Sequence, residues 1–450
     1  MRRHSIVPLL VLTLVLVLAL AAGVAACGSG STTTTAASTQ TTAGTGTTAA
    51  PASSDTTAAP ASSDTTAATT AAVPLKIGVG VPMTSAMGKQ LQQQYEAVIA
   101  DFNKSGGLVV KGQAYTLEPV VYDEGFTTDS GKAAAERWVN QDKVKFVLSP
   151  VGGPAILGEV SVTDPAKVML FSGAAITPFI GPDNKYSYRG ISYASSMVKW
   201  DYALGQNPNI KNIVHISVDD FLGHAEGDTL DGIAKGFGLT VTKHIYFADT
   251  TTDFSSIAAS AVALKPDIID LTGIAKSGLL GQVCKALTQA GYSGLKIAQE
   301  VDPDADVAAG GAAVEGLICV FADTTQLPDV PALAANMKKV YTAAYGDWIP
   351  ASAKWIDSFY LFVNAVKKAD SLDPDEINAA LANGLQYDGF MGPYTMIKRP
   401  DVGGTRYCDV ISQTAVGVVK SGVITLAKLY TPDEGLKAQE KVLGHVGEWQ

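Results

Sequence analysis

The stretch LKIGVGVPMTSAMGKQLQQQYEAVIADFNKSGG, residues 75–107, decides the fold. Its first seven residues form a short apolar run without helical period, which reads as a strand. Leu91, Tyr95, Val98, Ile99 and Phe102 then recur at helical spacing, and Gly106-Gly107 ends the helix. The alternation continues outward. TLEPVVYDE (116–124) reads as a strand, a helix passes through Ala133, Trp138 and Val139, and FVLS (146–149) and 168–171 are further strands. After the polar stretch around Tyr188-Arg189-Gly190 a second series begins: strand NIVHIS (212–217), helix 223–235, strand LTVTKHIYF (239–247), a helical face at Ile257, Ala261 and Leu264, strand DIIDLTG (267–273), helix 280–290. Near-continuous apolar strands alternating with helices predict parallel sheets covered on both faces. The fold class is therefore α/β, two Rossmann-like lobes of similar build. Ligands of such sheets sit beyond the carboxyl ends of the strands, here in a cleft between the lobes that hinge closure would bury.

The preceding 74 residues carry a different message. Arg2 and Arg3 precede an uncharged apolar run, 6–22, and small residues lead to Cys27. That order predicts a secretory signal peptide, 1–26. Val24-Ala25-Ala26-Cys27 resembles a bacterial lipobox, in which the cysteine is lipid-modified and begins the mature chain. An uncleaved anchor and plain secretion are the alternatives, although the run is shorter than the ~20 residues a spanning helix needs. Residues 27–74 are nearly all Thr, Ala, Ser and Gly, with PASSDTTAA at 51–59 and again at 60–68. Without large apolar residues such a segment cannot offset the entropy of ordering, and as a coil it would span on the order of 40 Å. These features predict a lipid-anchored protein on the outer face of the cytoplasmic membrane.

Composition excludes several classes. A net charge of −10 without a basic cluster argues against nucleic acid. Among His4, His215, His224, His244 and His445 none has metal-ligand spacing with another His or Cys, and no G-x-S-x-G elbow occurs. Gly78 and Gly80 lack the third glycine of a dinucleotide motif. Asp302, Asp304 and Asp306 alternate like a calcium loop, but Val307 and Ala313 replace its glycine and glutamate. No metal, cofactor or enzymatic nucleophile is expected, which disfavours a secreted hydrolase. Cys284, Cys319 and Cys408 allow one disulfide, with Cys319–Cys408 the preferred pair.

In order along the chain, 75–107, YDEGFTTDSGKAAAERWV, VLSPVGGPA, LFSGAAITP, YRG, DDFLG, TDFSSIAASAVALKPDII and AAVEGLICV resemble the branched-chain amino acid-binding proteins of bacterial ABC importers. The resemblance implies a type I periplasmic-binding fold with three hinge crossings: an N-terminal lobe of 75–192 plus 322–390 and a C-terminal lobe of 193–321 plus 391–450. It also implies a monomer that hands a small solute to permease subunits; a ligand-sensing receptor of the same fold is the alternative. In that family an α-amino acid's carboxylate meets a serine after the third strand and an Ala-Ala-Thr-x-Pro turn after the fourth. A glutamate of the second lobe holds its ammonium. Here Gly153 stands at the serine position, Ala174, Ala175 and Pro178 keep the turn, Ile176 replaces its threonine with Thr177 following, and Glu300 matches the ammonium anchor. Met87, Leu222 and Ile274 or Ala275 stand where the family often has aromatics, and the family's small-loop cysteines are Phe126 and Gly152. The resemblance thus implies an amino acid or a related amide or aromatic acid as solute, with ordinary leucine recognition altered.

Overall fold

The structure is a computed structural model that describes residues 71–83, 85–151, 153–350, 353–444 and 449. The expected signal peptide, Cys27, the Thr-rich segment to residue 70 and Gly152 lie outside the described residues. Among those described, no helix is long and apolar enough to cross a membrane.

The first series runs β1 (Val73–Val81), α1 (Ala86–Lys104), β2 (Leu108–Val110), β3 (Gln113–Asp123), α2 (Thr128–Arg137), β4 (Phe146–Ser149), α3 (Gly153–Thr163), β5 (Met169–Ser172) and β6 (Ser187–Arg189). Its sheet has the order β2-β3-β1-β4-β5-β6, parallel except for the β2–β3 hairpin. The second series runs α4 (Ser195–Gln206), β7 (Asn212–Val218), α5 (Phe221–Phe237), β8 (Thr240–Phe247), α6 (Ser255–Ala263), β9 (Ile268–Asp270), α7 (Leu279–Gln289), β10 (Leu295–Ile297), α8 (Ala305–Gly310) and β11 (Ile318–Val320). The chain then adds α9 (Ala332–Tyr345), α10 (Asp357–Ala369), α11 (Pro374–Leu381), β12 (Gln386–Gly389), β13 (Gly392–Lys398), β14 (Tyr407–Ser412), β15 (Thr414–Lys420), β16 (Val423–Tyr430) and α12 (Pro432–Leu443).

Helices α9, α10 and α11 return to the first sheet: Met337, Tyr341, Phe359, Phe362 and Ile377 share a buried core with Ile77, Phe146 and Phe171. The hairpin β15–β16 instead extends the second sheet, whose order is β16-β15-β11-β10-β9-β7-β8. There α4 and α12 bury Met197, Trp200 and Ala438 against Ile213, Ile268 and Val416. Strands β12–β14 form a third, antiparallel sheet between these bodies. Tyr394 and Met396 of that sheet join the first core, while Ile397 and Ile411 pack with Ala194 and Leu436. The expected boundary at 390/391 falls in the turn between β12 and β13.

Local chemistry explains the elements. Strands β4 and β5 are buried along their whole length, as central parallel strands must be. Helix α5 starts at Asp220, whose side chain accepts the Gly223 amide, and ends at left-handed Gly238. Helix α12 begins with a Thr431–Glu434 capping box. Gly80 packs where a Cβ would come within 3.1 Å of Glu159 and Trp138, a packing role for a glycine of the rejected cofactor pattern.

One expectation is corrected. Cys284 and Cys319 lie in the core of the second sheet and Cys408 in a core of the first, and all three thiols are free. The Cys319–Cys408 disulfide does not form because the two side chains belong to different bodies. The aspartates 302, 304 and 306 are a turn: Asp302 accepts the amides of Asp304 and Ala305, and Asp306 accepts that of Asp302. No group of three or more His, Cys, Asp or Glu side chains suited to a metal occurs among the described residues.

Candidate functional site

Strand order reverses between β1 and β4 in the first sheet and between β7 and β9 in the second, so these carboxyl ends are where a crevice forms. On the first lobe, β4 leads through Pro150 to Gly153 at the start of α3, and β5 leads into the turn 173–177. Ser172 ties the two ends together: its hydroxyl donates to the Ser149 carbonyl at 2.5 Å and accepts the Ala174 amide at 3.0 Å. A Cβ on Gly173 would fall 2.7 Å from the Trp355 ring, so only glycine admits that indole over the turn.

The turn is held from below. Arg189 donates through Nε to the Ala174 carbonyl at 3.0 Å and through Nη2 to those of Ala175 and Ile176 at 2.9 Å each. Its Nη1 reaches Asp409 at 2.7 Å, and Asp409 also accepts from Arg399 at 2.6 Å. Arg399 continues to Asp401 and, at 3.3 Å, to the Thr177 hydroxyl. The side chains of Arg189, Asp409 and Arg399 are at most 1% exposed. With three successive carbonyls committed to one guanidinium, the turn presents its other side outward. Among the described residues the amides of Ala175, Ile176 and Thr177 donate to no backbone or side-chain acceptor. Ala175 is exposed and Ile176 and Thr177 are half-buried. Unclaimed successive amides are an anion-binding geometry that needs no side chain.

On the second lobe, Phe221 and Leu222 open α5 and are 55% and 41% exposed. A Cβ on Gly153 would meet the Phe221 ring at 3.6 Å, so the starts of α3 and α5 face each other. Ala275 is exposed, whereas Ile274 belongs to the core of the second sheet at 7% exposure. Met87 is half-buried against the first core. Glu300, beyond β10, does not stand free: its Oε1 accepts from Lys354 Nζ at 2.7 Å. Lys354 comes from the first lobe, in the turn Ala353–Ile356 that also carries Trp355, and its Nζ lies 5.0 Å over the indole. The fold thus joins Gly153 to the Phe221-Leu222 lip and the 173–177 turn to Glu300 through Trp355 and Lys354.

Sequence reading missed Lys354, Trp355, Phe221 and the Arg189–Asp409–Arg399 cluster. Only Arg189 carried a signal, in YRG; Lys354 lies 54 residues from Glu300, and no periodicity links them.

Behind the second wall, Lys199, Glu226, Asp270, Thr272 and Gln299 line a cavity of about 10 Å³, the space of one water. Lys199 Nζ donates to the Ala298 carbonyl at 2.9 Å and to Gln299 at 2.5 Å. Burial holds Lys199 below the usual lysine range and raises Glu226. Behind the first wall, Glu124 and Glu159 are fully buried. Burial first, with the charge of Asp123 beside Glu124 and that of Glu124 beside Glu159, pushes Glu124 up to about 7 and Glu159 to about 8. Ser149 donates to Glu159 at 3.1 Å and the Phe126 amide to Glu124 at 3.0 Å. A larger hollow of about 510 Å³ lies elsewhere, among Lys368, Gln386, Thr395, Tyr407 and Pro432, none at a carboxyl end of a parallel strand.

Comparison with known proteins follows this geometry. The sequence pattern of the periplasmic binding protein family matches residues 74–411. A leucine-binding protein from Thermotoga maritima superposes with a TM-score of 0.63 at 21% identity, covering 80% of this chain and 99% of its own. A branched-chain amino acid transporter substrate-binding protein from Streptococcus pneumoniae, in complex with isoleucine, gives 0.64 at 18%, covering 80% and 100%. An ABC-transporter solute-binding protein from Rhodopseudomonas palustris, in complex with benzoate, gives 0.62 at 17%, covering 80% and 97%. At these identities the likeness establishes the α/β two-lobed fold.

Proposed function

The chain belongs to the periplasmic binding protein family, a binding protein rather than an enzyme, and on that footing we propose that it serves an ABC importer. It captures a small organic solute outside the cytoplasmic membrane and delivers it to permease subunits. The working parts are the lobes 75–192 plus 322–390 and 193–321 plus 391–450, held to the membrane by lipid on Cys27. The solute is an amino acid or a related amide or aromatic acid, in keeping with the isoleucine and benzoate carried by two proteins of the same fold.

The observation that carries this reading is the 174–177 turn. The carbonyls of 174–176 are bound to Arg189 and, among the described residues, the amides of 175–177 are unclaimed, so a carboxylate meets donors that need no rearrangement. In this reading Gly153 lies beside it and Met87 at its rim, while Leu222, Ala275 and Glu300 form the facing wall with Ile274 packed in the core behind them. A solute touching both walls binds the closed form better than the open one, and only that difference can drive closure. The test is melting temperature and small-angle scattering of the purified full chain with a panel of amino acids, amides and aromatic acids. At least one compound should raise the melting temperature and shrink the radius of gyration. A panel without either effect overturns the reading.

A further inference from the structure

We infer that the cleft is selective for an organic anion that lacks an amine, because Lys354 already occupies the carboxylate of Glu300 that an amine would require. This rests on the solute-binding reading above and names its chemical class.

The argument is one of charge partners. Glu300 is the acid that reaches the gap from the second lobe, and Lys354 holds it at 2.7 Å. The lysine is well fixed: it is 12% exposed and lies against the Trp355 ring. The other acids on this face have partners of their own. Asp270 accepts from Thr272 and contacts His215, Asp219 contacts His224, and Asp220 caps α5. Glu226 is the exception: it accepts no hydrogen bond among the described residues, but it lies beside Lys199 at the water-sized cavity, and burial raises it toward its neutral form. A solute ammonium entering here meets Glu300 already paired and Glu226 withdrawn beside the cation of Lys199, and leaving a charged group short of partners is costly. The facing wall offers the reverse, amides at 175–177 that ask for negative charge. Trp355 and the exposed Phe221 and Leu222 suit an apolar body attached to that anion. In effect, the protein's own lysine replaces the ammonium half of a zwitterion.

Matched pairs that differ only in the amine test this: 4-methylpentanoate against leucine, and 3-phenylpropanoate against phenylalanine, titrated calorimetrically into the full chain. The amine-free acid should bind at least about tenfold more tightly in one pair or both. Lys354→Met frees Glu300 and should shrink that ratio by about tenfold or invert it. Glu300→Gln releases Lys354 toward the anion and should tighten the amine-free acid, which keeps the test decisive if Lys354→Met does not fold. Amino acids that bind the wild type as tightly as their amine-free partners, or a ratio unmoved by Lys354→Met, overturn the inference and leave solute binding standing. Binding of neither class to the wild type or to either variant overturns both.

Discussion

Two buried charge clusters stand behind the first wall of the cleft, and they are built on opposite principles. Around Asp409, two guanidiniums meet two carboxylates, and the spare donors fall on the 174–176 carbonyls and the Thr177 hydroxyl. Aromatic faces cover what remains, with Arg189 over Phe179 and Tyr193 and Arg399 over Trp449. Opposite charges with filled hydrogen-bonding capacity remain ionised inside a protein. Glu124 and Glu159 have like charge, a single hydroxyl or amide each, and one oxygen apiece without a partner among the described residues. There the protein answers burial by retaining protons. Charge is kept where it positions the turn and discarded where it has only a neighbour of its own sign.

The contrast can be broken most forcefully at Asp409. Asp409→Ala takes from buried Arg189 its one carboxylate partner and from Arg399 one of two, and should cost about 3–5 kcal/mol in urea unfolding. A loss below about 1 kcal/mol would show that the cluster is not a unit. It should also weaken solute binding through the displaced turn. Glu159→Gln should act with the opposite sign at alkaline pH. In the folded protein Glu159 titrates at about 8, above its ordinary 4.5, so between these values the native state holds a proton that the unfolded chain has released. Stability therefore falls as pH rises through that window. Glutamine has no such titration, so the variant should be more stable than wild type at pH 8.5, by about 1–3 kcal/mol, and lose the advantage by pH 4.5. Equal stability of the two proteins at both pH values would refute the protonated pair. The mildest probe is Thr177→Ala, which deletes the 3.3 Å contact with Arg399. It should cost about 0.5–1 kcal/mol of stability, read in the same unfolding assay.

Much of the architecture was legible because central parallel strands write themselves as unbroken apolar runs. FVLS and the buried MLFS of β5 are examples, and Leu91, Tyr95 and Val98 mark a helix by spacing alone. Strands β12–β16 were not legible. Strands β12 and β13 keep part of one face open and β16 is half-exposed for most of its length, so their pattern blurs into loop, whereas β14 and β15 are buried almost throughout. The helix through Trp138 is real in outline, but after Arg137 it widens into a single π turn ending at left-handed Lys143, which no periodicity foretells. At the site, the resemblance pointed to Gly153, and the 174–177 turn was marked both by the resemblance and by following a strand directly. Lys354 could not, since its meaning depends on an acid from the other lobe. Ile274 shows the limit of reading by motif: the loop is at the right place, and its isoleucine points into the core.

The three free thiols carry a consequence of their own. All are sealed in apolar cores, Cys284 and Cys319 in that of the second sheet and Cys408 in one of the first, and burial pushes Cys284 and Cys319 up to about 12 and Cys408 to about 11, so none offers a thiolate to an oxidant. Maturation of the body, residues 71–444, thus calls for no oxidase or isomerase after export. Its endurance outside the cell is insensitive to reductant, and a melting curve taken in dithiothreitol should overlay one taken in air.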